Sequence, residues 1–277
     1  MAARAEGPGG GPASPVRPVE ALRLSSGGTA PLAERTEVLV ERIVTVEVEY
    51  ADRYVLSCTP GDEEPLAAGF ALSEGLISGR DDILHIGARG DDASSVLLRL
   101  RDPARIAPGR NLLATSSCGL CGVRNILPFL SGEVSCGRTL RVGAPRLLAL
   151  AREMRSRQLL FARTGAAHAA ALFRAQGEFL SVAEDIGRHN ALDKAIGRLL
   201  LSGEPIPGCG ALLSGRESFE IVAKAARAGI EIVAGVSAPS SLAVDVAQRC
   251  GITLCGFVRE DRLTIYAHPE RILEAGP

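Results

Sequence analysis

The feature that most constrains the fold is a regular alternation of helical and strand patterns that follows His189. The alternating segments are NALDKAIGRLLLSG, CGALLSG, SFEIVAKAARAGI, EIVAGVSA, SLAVDVAQRCG and TLCGFVR. Strands that alternate with helices of this length indicate βαβ crossovers. We therefore predict an α/β fold in which a mostly parallel sheet is covered by helices on both faces.

The preceding residues have the pattern of an antiparallel α+β structure. Alternating apolar and polar residues over 36–50 predict a strand pair, and residues 82–88 and 95–101 predict a hairpin around an Asp-rich turn. Residues 59–77 combine a Pro-Gly turn, early acidic residues and an apolar helical stripe, which predicts a capped helix. The first hundred residues are thus expected to be antiparallel.

These patterns divide the chain into three parts. Residues 1–35 are rich in Pro, Gly and Ala and are predicted to be a disordered tail. Residues 36–135 form the N-terminal α+β portion, which ends in a loop with two cysteines. Residues 136–277 form the α/β portion, which starts with one amphipathic helix over 144–164 and a hairpin over 165–187.

Composition argues against several functional classes. The chain has 31 Lys and Arg against 32 Asp and Glu, and only 4% aromatic residues, so a basic surface or stacking platform for nucleic acid is not expected. No apolar run approaches the roughly 20 residues of a membrane-spanning helix. Seven cysteines, an odd number, do not suggest the disulfide framework of a small secreted domain. We expect a cytoplasmic protein with reduced thiols that binds neither nucleic acid nor membrane.

Cys118 and Cys121 form a CGLCG motif in a Ser- and Gly-rich stretch. Two thiols at this spacing can close a disulfide, bind one edge of a zinc ion, or act as a nucleophile with a resolving partner. A structural zinc site needs two more ligands and the sequence has no second CxxC, so no metal is predicted. The glycines favour a mobile loop, which suits a thiol that visits two partners in turn.

A second unusual segment, residues 183–197, packs charged residues into a strand-to-helix junction. A helix that starts at His189 or Asn190 can receive an anion at its N-terminus. Ser214-Gly215-Arg216 follows a short apolar strand and precedes a helix, which is also an arrangement suited to an anion. The alternative is a solvated helix face with i,i+4 pairs such as Asn190–Lys194.

Seven segments carry a family resemblance. They are TPGDEEPLAAGFALSEGLI (59–77), CGLCG, TGAAHAAAL (164–172), AEDIGRHNALDKAIG (183–197), SGRESFEIVAKAARAGI (214–230), SAPSSLAVDVA (237–247) and GFVREDRLTIY (256–266). Taken in order, they resemble the formate dehydrogenase accessory sulfurtransferase family, FdhD, from about residue 36 to the end. The resemblance implies a three-layer α/β/α fold related to the cytidine deaminases and a homodimer.

What the resemblance further implies is a sulfurtransferase that works as a sulfur carrier. A cysteine desulfurase would pass sulfur to Cys118 as a persulfide, with Cys121 as its partner. The carrier would deliver the sulfur to the molybdenum bis(molybdopterin guanine dinucleotide) cofactor, which the catalytic subunit of formate dehydrogenase needs. The family's cofactor-binding segment corresponds to Phe257, Val258, Arg259, Glu260, Asp261 and Arg262, and the guanine nucleotide part of the cofactor is an expected partner. Arg259 and Arg262 suit its pyrophosphates, and we rank them above Arg216 and Arg188.

Two alternatives stay open: a cofactor-binding chaperone of formate dehydrogenase without sulfur chemistry, and a thiol–disulfide oxidoreductase that closes Cys118–Cys121 reversibly. The zinc-deaminase signature is missing, because Ala170 stands where a glutamate is needed and Ser117 precedes Cys118. His189 is therefore interpreted as a helix-start residue near phosphates and not as a metal ligand.

Overall fold

The computed structural model describes residues 14–26, 30–89, 94–103, 112–114 and 127–274. The strands are β1 Val16–Arg23, β2 Leu32–Leu39, β3 Arg42–Val48, β4 Arg53–Cys58, β5 Ile83–Arg89, β6 Ser95–Leu100, β7 Leu112–Ala114, β8 Val142–Gly143, β9 His168–Phe173, β10 Phe179–Asp185, β11 Gly210–Leu213, β12 Ile232–Gly235, β13 Thr253–Arg259, β14 Arg262–Ala267 and β15 Ile272–Leu273. The α-helices are α1 Glu63–Ser73, α2 Leu127–Leu130, α3 Ala144–Ser156, α4 Leu159–Thr164, α5 Arg188–Ser202, α6 Phe219–Arg227 and α7 Ser241–Cys250. Among the described residues, no helix has both the length and the apolar character needed to cross a bilayer.

The N-terminal portion contains a five-stranded mixed sheet with strand order β5-β6-β3-β4-β7. The predicted hairpin is confirmed, since β5 and β6 are antiparallel, and α1 lies in the predicted helical segment. The expectation of a wholly antiparallel arrangement is wrong, because β6 runs parallel to β3 and β7 runs parallel to β4. A parallel neighbour requires a crossover, and α1 lies in the connection between β4 and β5. The pair predicted over 36–50 is also wrong, since β2 pairs with β1 and β3 pairs with β4.

The segment predicted as a disordered tail contains a strand, so that prediction is wrong for β1 and for the start of β2. The two strands form an antiparallel ribbon. Val16 and Leu39 bury against Ala167, and Arg163 donates two hydrogen bonds to Glu37 at 2.6 and 2.7 Å. These contacts join residues more than a hundred positions apart, which is why the local composition did not indicate the strand.

The single helix predicted over 144–164 is two helices, α3 and α4, with Gln158 between them. At the start of α4, the carboxylate of Glu184 accepts hydrogen bonds from the N–H groups of Leu160 and Phe161, both at 2.8 Å. A carboxylate at this position satisfies two N–H groups that lack intrahelical acceptors. It therefore stabilises a new helix start in place of a continuous helix.

The C-terminal portion contains a six-stranded sheet with strand order β10-β9-β11-β12-β13-β14. The predicted alternation of helices and strands after His189 is confirmed, and β9 and β10 form the predicted hairpin. Within this sheet, β11, β12 and β13 are parallel, whereas the three other pairings are antiparallel. The prediction of a mostly parallel sheet is wrong, because β9 and β10 at one edge and β14 at the other add antiparallel pairings.

Helices cover both faces of this sheet. Alternate residues along each strand face opposite sides. Ala211 and Val233 belong to the core that includes residues of α1, α5, α6 and α7, whereas Leu212 and Ala234 belong to the core that includes residues of α3. The mixed α/β class is confirmed, and the likeness to the cytidine deaminases stays a prediction.

The close packing of α1 on α5 joins the two portions. A Cβ at Gly69 would collide with the carbonyl oxygen of Asp193, and a Cβ at Gly197 would collide with the backbone of α1. Beside this crossing, the buried Nζ of Lys224 on α6 lies 2.8 Å from the carboxylates of both Asp193 and Glu74. Pairing of this kind offsets the cost of burying the charges.

The edge that positions the candidate site is formed by the carboxyl ends of β11, β12 and β13. The start of β9 lies at the same edge, because β9 is antiparallel to β11. The helices α5, α6 and α7 begin there, after β10, β11 and β12 respectively. In α/β sheets, the crevice outside the carboxyl ends of parallel strands is where ligands bind.

Candidate functional site

Cys118 and Cys121, the predicted reactive pair, lie outside the described residues. Before them, β7 ends at Ala114, and after them α2 begins at Leu127. In the N-terminal sheet, Ala114 is opposite Leu56 of the parallel strand β4. The described chain therefore enters the CxxC segment beside β4.

The five other cysteines are all poor nucleophiles. They are Cys58, Cys136, Cys209, Cys250 and Cys255. Burial raises the pKa of every one of these thiols, to about 12 for Cys58, Cys136 and Cys255 and to about 11 for Cys250. The thiolate is the attacking form of cysteine, so a raised pKa suppresses reactivity at neutral pH. Of the seven cysteines in the sequence, Cys118 and Cys121 remain as the candidate reactive thiols.

The predicted cofactor segment, residues 257–262, is the end of β13, a tight turn and the start of β14. Arg259 and Arg262 are directly opposite each other in this hairpin. A bulge precedes them, at which Phe257 adopts a left-handed backbone with φ 53°. The N–H of Phe257 donates to the carbonyl of Ser237 at 2.8 Å, which attaches the segment to the loop after β12.

The side chains of this segment differ in their access to a ligand. Four are exposed: Arg259, Glu260, Asp261 and Arg262. Phe257 is half-buried and lies under the Arg259 guanidinium, 5.7 Å from ring centre to Cζ. Val258 is completely buried in the core under α3. The Val258 side chain therefore cannot reach a cofactor, and the expectation that Val258 contacts one stays a prediction for its backbone.

Arg259 and Arg262 place two like charges directly opposite each other in the hairpin. Like charges directly opposite on paired strands destabilise the pair. Within the described part of the chain, neither Arg259 nor Arg262 forms an ion pair. An anion held between the two guanidinium groups would relieve the repulsion.

The charged segment 183–197 is largely buried, so its interpretation as a solvated helix face is wrong. Asp185 is completely buried and lies 2.8 Å from Nζ of Lys194. Its oxygens accept hydrogen bonds from Asn190 Nδ2 at 3.0 Å and from the N–H of Thr59 at 2.9 Å. Nζ of Lys194 also donates to the carbonyl of Thr59 at 2.8 Å. These contacts connect the start of α5 to Thr59, the residue that follows β4.

His189 lies in the first turn of α5, as predicted, and is a buried side chain. Neither ring nitrogen has a hydrogen-bond partner. Burial and the positive charges of Lys224 and Arg188, with His168 adding, lower its pKa to about 3, so the imidazole is neutral at physiological pH. The Nε of Arg188 is also buried without a partner. That a phosphate lies near His189 stays a prediction.

Glu217 is a buried carboxyl group that sequence analysis missed. It precedes α6, is completely buried, and neither carboxyl oxygen has a partner. Burial raises its pKa to about 8. The carboxyl group fills the space that a Cβ at Gly235 would need. Nothing in the local sequence SGRESF indicates this, because the space is created by a glycine on the next strand.

Comparisons with known proteins agree with the family resemblance. A sequence model described as the FdhD/NarQ family matches residues 39–273. A protein of Anaeromyxobacter sp. (strain K), named sulfur carrier protein FdhD, is 42% identical over 277 residues and covers 92% of this chain and 93% of its own. A protein of the same name from Thermoplasma acidophilum is 45% identical over 224 residues and covers 79% of each chain.

A solved structure also has this fold. A crystal structure from Desulfotalea psychrophila, described as a formate dehydrogenase accessory protein, covers 94% of this chain and 100% of its own with a TM-score of 0.77. At 23% identity, this similarity supports the fold alone.

Proposed function

Because the chain belongs to the FdhD/NarQ family, we propose that it is a sulfur carrier that serves formate dehydrogenase. It takes sulfur from a cysteine desulfurase as a persulfide on Cys118 and passes it to the molybdenum bis(molybdopterin guanine dinucleotide) cofactor, its substrate. The activity is that of a sulfurtransferase. The names and the extensive matches of the relatives from Anaeromyxobacter and Thermoplasma support the carrier role.

The observation that carries this proposal is that the five cysteines outside the CxxC pair have raised thiol pKa values. A sulfur carrier needs a thiol that can ionise and meet a second protein. Burial raises the pKa of all five cysteines outside the CxxC pair. The reactive thiol is therefore proposed to be one of the CxxC pair, and the family resemblance favours Cys118, with Cys121 three residues further along.

Loading of the carrier is a displacement at sulfur. The Cys118 thiolate attacks the outer sulfur of the desulfurase persulfide and forms a new S–S bond. The original S–S bond breaks, and the desulfurase cysteine leaves as a thiolate. The sulfur atom moves without net oxidation or reduction, so no further reactant is required. Cys121 is close enough in sequence to accept the sulfur from Cys118 or to release it.

The cofactor is proposed to bind at the β13–β14 hairpin. The exposed guanidinium groups of Arg259 and Arg262 suit a pyrophosphate, and Phe257 offers the face of a half-buried ring. Glu260 and Asp261 lie in the turn between the two arginines. Val258 can contribute its backbone alone. When bound, the cofactor supplies the metal centre that accepts the sulfur.

Intact-mass spectrometry tests the carrier role. The protein is incubated with a cysteine desulfurase and cysteine without reductant. We expect a gain of one sulfur atom, about 32 Da, in the wild type and in Cys136→Ala, and no gain in Cys118→Ala. Cys136 is the matched control because it is the described cysteine that is not fully buried. A sulfur gain that persists in Cys118→Ala would contradict the assignment.

A cofactor-binding chaperone without sulfur chemistry is the second candidate, because the arginine pair would bind the cofactor with or without a reactive thiol. It predicts that activation of formate dehydrogenase survives in the double variant Cys118→Ala/Cys121→Ala. A thiol–disulfide oxidoreductase would instead show reversible closure of the pair and no gain of sulfur. Loss of activation together with retained cofactor binding supports the carrier over the chaperone, and a gain of sulfur in the wild type supports it over the oxidoreductase.

The proposal includes partners and a location. The desulfurase and the catalytic subunit of formate dehydrogenase are its protein partners, since sulfur must arrive from the first and serve the second. We further propose that the carrier is a homodimer and acts in the cytoplasm, on the basis of the family resemblance.

A further inference from the structure

A cavity lies at the opposite edge of the six-stranded sheet from the candidate site. The helices α5 and α6 begin at the candidate site and end beside this cavity, where Gly203 after α5 and Ala228 after α6 contribute to its lining. The 15 residues of α5 span about 22 Å along the helix axis. The cavity is therefore separate from the candidate site and from the cofactor hairpin.

The cavity lies between the two portions of the chain. One wall comes from the N-terminal portion, with Leu72 near the end of α1 and residues 78–80 after it. The other wall comes from the C-terminal portion, with Leu200 of α5 and the loop 203–207. The cavity encloses about 290 Å³, which is at the lower end of the volumes of ligand pockets and suits a small molecule.

Hydrogen bonds hold both walls in place. The guanidinium of Arg174 donates to the carbonyl of Pro205 at 2.7 Å, behind one wall. In the other wall, the N–H of Ser78 donates to the Asp82 carboxylate at 2.6 Å. Walls that are ordered before a ligand arrives lower the entropy cost of binding. The cavity is therefore preformed, as ligand sites usually are.

The buried part of the lining is apolar. Leu72 and Leu200 are each 6% exposed, Ile206 is 3% exposed, and all three belong to the main core. Ala228 adds a small apolar side chain beside them. A surface of this kind favours burial of an apolar group of the ligand.

Two guanidinium groups in the lining have unused donors. Nη1 of Arg227 donates to the carbonyl of Glu74 at 2.7 Å, and Nη1 of Arg80 donates to the carbonyl of Ile83 at 2.9 Å. These bonds leave most N–H groups of each guanidinium free. Over the residues that the structure describes, neither arginine forms an ion pair with a carboxylate. A ligand carboxylate matches these donors, because guanidinium groups bind carboxylates bidentately.

The position of the Arg227 guanidinium is fixed by its surroundings. It occupies the space beside Gly75, where a Cβ would lie 1.8 Å from Nη1 of the arginine. Its Cζ lies 5.1 Å from the centre of the Phe129 ring. The half-buried arginine therefore presents its free donors in a defined place.

The lining also contains negative charge. Glu204, directly after Gly203, has an exposed carboxylate with no cationic partner in the described ranges. The C-terminal ends of α5 and α6 carry partial negative charge and lie in the same lining. Carboxylate and carbonyl oxygens accept hydrogen bonds from an ammonium group. A doubly charged phosphate would be repelled by these groups, so the lining does not favour a nucleotide.

We propose that this cavity binds a free α-amino acid with an apolar side chain. The ligand carboxylate pairs with Arg227, with Arg80 at the rim, and the ligand ammonium pairs with Glu204. The apolar side chain of the ligand lies against Leu72 and Leu200. Because the two walls belong to different portions of the chain, the bound amino acid stabilises their junction. This site goes beyond the proposed function and uses none of its residues.

Calorimetric titration of the full chain with L-leucine and L-methionine tests the cavity. We expect both amino acids to bind. Three analogues of leucine should each bind at least tenfold more weakly, because each lacks one group that the cavity matches. They are 4-methylpentanoate without the ammonium, leucinamide without the carboxylate, and glycine without the side chain.

Two substitutions assign the charged contacts. Glu204→Gln should weaken leucine binding at least fivefold and leave the affinity for 4-methylpentanoate within twofold, because that ligand has no ammonium. Arg227→Gln should weaken leucine binding at least tenfold and leave the affinity for leucinamide within twofold, because that ligand has no carboxylate. A merely structural effect would weaken all these ligands alike.

Matched controls lie outside the cavity. Arg249→Gln and Glu178→Gln change exposed residues and should leave leucine affinity within twofold. If Arg227→Gln fails to fold, Arg80→Gln replaces it, because Arg80 is exposed. We expect Arg80→Gln to weaken leucine binding at least threefold.

Three outcomes would overturn the proposal. The first is a wild type that binds neither leucine nor methionine. The second is leucine affinity that is unchanged in both Glu204→Gln and the arginine variant that folds. The third is 4-methylpentanoate that binds as tightly as leucine, which would make the ligand a simple carboxylic acid.

Discussion

Two buried carboxyl groups at the site differ in how their oxygens are satisfied. Asp185 pairs with Lys194 and accepts hydrogen bonds from Asn190 and Thr59. Glu217 is equally buried, and neither of its oxygens has a partner. Burying a charge is costly unless it is paired and hydrogen-bonded. The pKa of Glu217 therefore rises to about 8, and its carboxyl group is protonated at neutral pH.

Glu217 should make stability depend on pH. Its pKa is raised from 4.5 to about 8, so its contribution to the free energy of unfolding is complete below pH 4.5 and is lost as the pH rises through about 8. The expected loss is at most ~1.4 kcal/mol per pH unit across that window. Glu217→Gln should abolish this slope. Urea unfolding of the two proteins between pH 5 and pH 9 measures the difference.

The control for this prediction is Glu178→Gln, which changes an exposed glutamate. Its pH profile should run parallel to that of the wild type. If the Glu217→Gln profile is parallel as well, Glu217 does not titrate in this window and the prediction is wrong.

At the scale of elements, the crossing of α1 and α5 connects the two portions of the chain. Backbone meets backbone there, because Gly69 and Gly197 leave no room for a side chain. The residue Asp185, which precedes α5, accepts a hydrogen bond from the N–H of Thr59, directly after β4. The position of the start of α5 relative to the N-terminal sheet thus depends on this crossing.

Gly197→Ala should destabilise the protein by about 1–3 kcal/mol, because the new Cβ collides with the backbone of α1. This loss outweighs the gain of about 1 kcal/mol that alanine brings inside a helix. Urea unfolding followed by circular dichroism measures the change. Gly79→Ala is the control, since a Cβ there meets nothing within 4 Å. A Gly197→Ala protein as stable as the wild type would show that the helices can separate at little cost.

At the scale of the whole molecule, one end of the β1–β2 ribbon exposes apolar side chains on both of its faces, since Leu22 is opposite Ala33 and Leu32 is opposite Arg23. Leu22, Leu24 and Leu32, towards one end of the ribbon, are each at least 60% exposed. A two-stranded ribbon has little stability of its own, and a group of exposed apolar side chains indicates contact with another protein. The proposed homodimer would provide that contact.

We expect light scattering after gel filtration to give a mass twice the 28.9 kDa of one chain. Leu22→Glu/Leu32→Glu should lower the mass towards that of one chain, because unpaired charges would be buried in the contact. Leu159→Glu, which changes an equally exposed leucine on α4, should leave it unchanged. A wild-type mass of one chain would contradict the homodimer, and a double variant that stays dimeric would exclude the ribbon from the interface.

Local patterns predicted the elements well and their pairing poorly. The helices and strands after His189 and the hairpins β5–β6 and β9–β10 were predictable, because apolar periodicity and turn residues are properties of neighbouring residues. The parallel pairing of β6 with β3 and the strand at Val16–Arg23 were not. They depend on partners elsewhere in the chain, and no short window contains both members of such a pair.

The sequence by itself determined the order of elements in the α/β portion, the family resemblance and the CGLCG motif that makes Cys118 and Cys121 the candidate thiols. The tertiary structure alone decided what is buried and what is paired. In the folded protein, Asp185 and Lys194 form a buried ion pair and Val258 packs into the core. The ring nitrogens of His189 and the carboxyl oxygens of Glu217 have no hydrogen-bond partner. The physical reason is that burial and hydrogen bonding depend on residues far apart in the chain, which folding alone brings into contact.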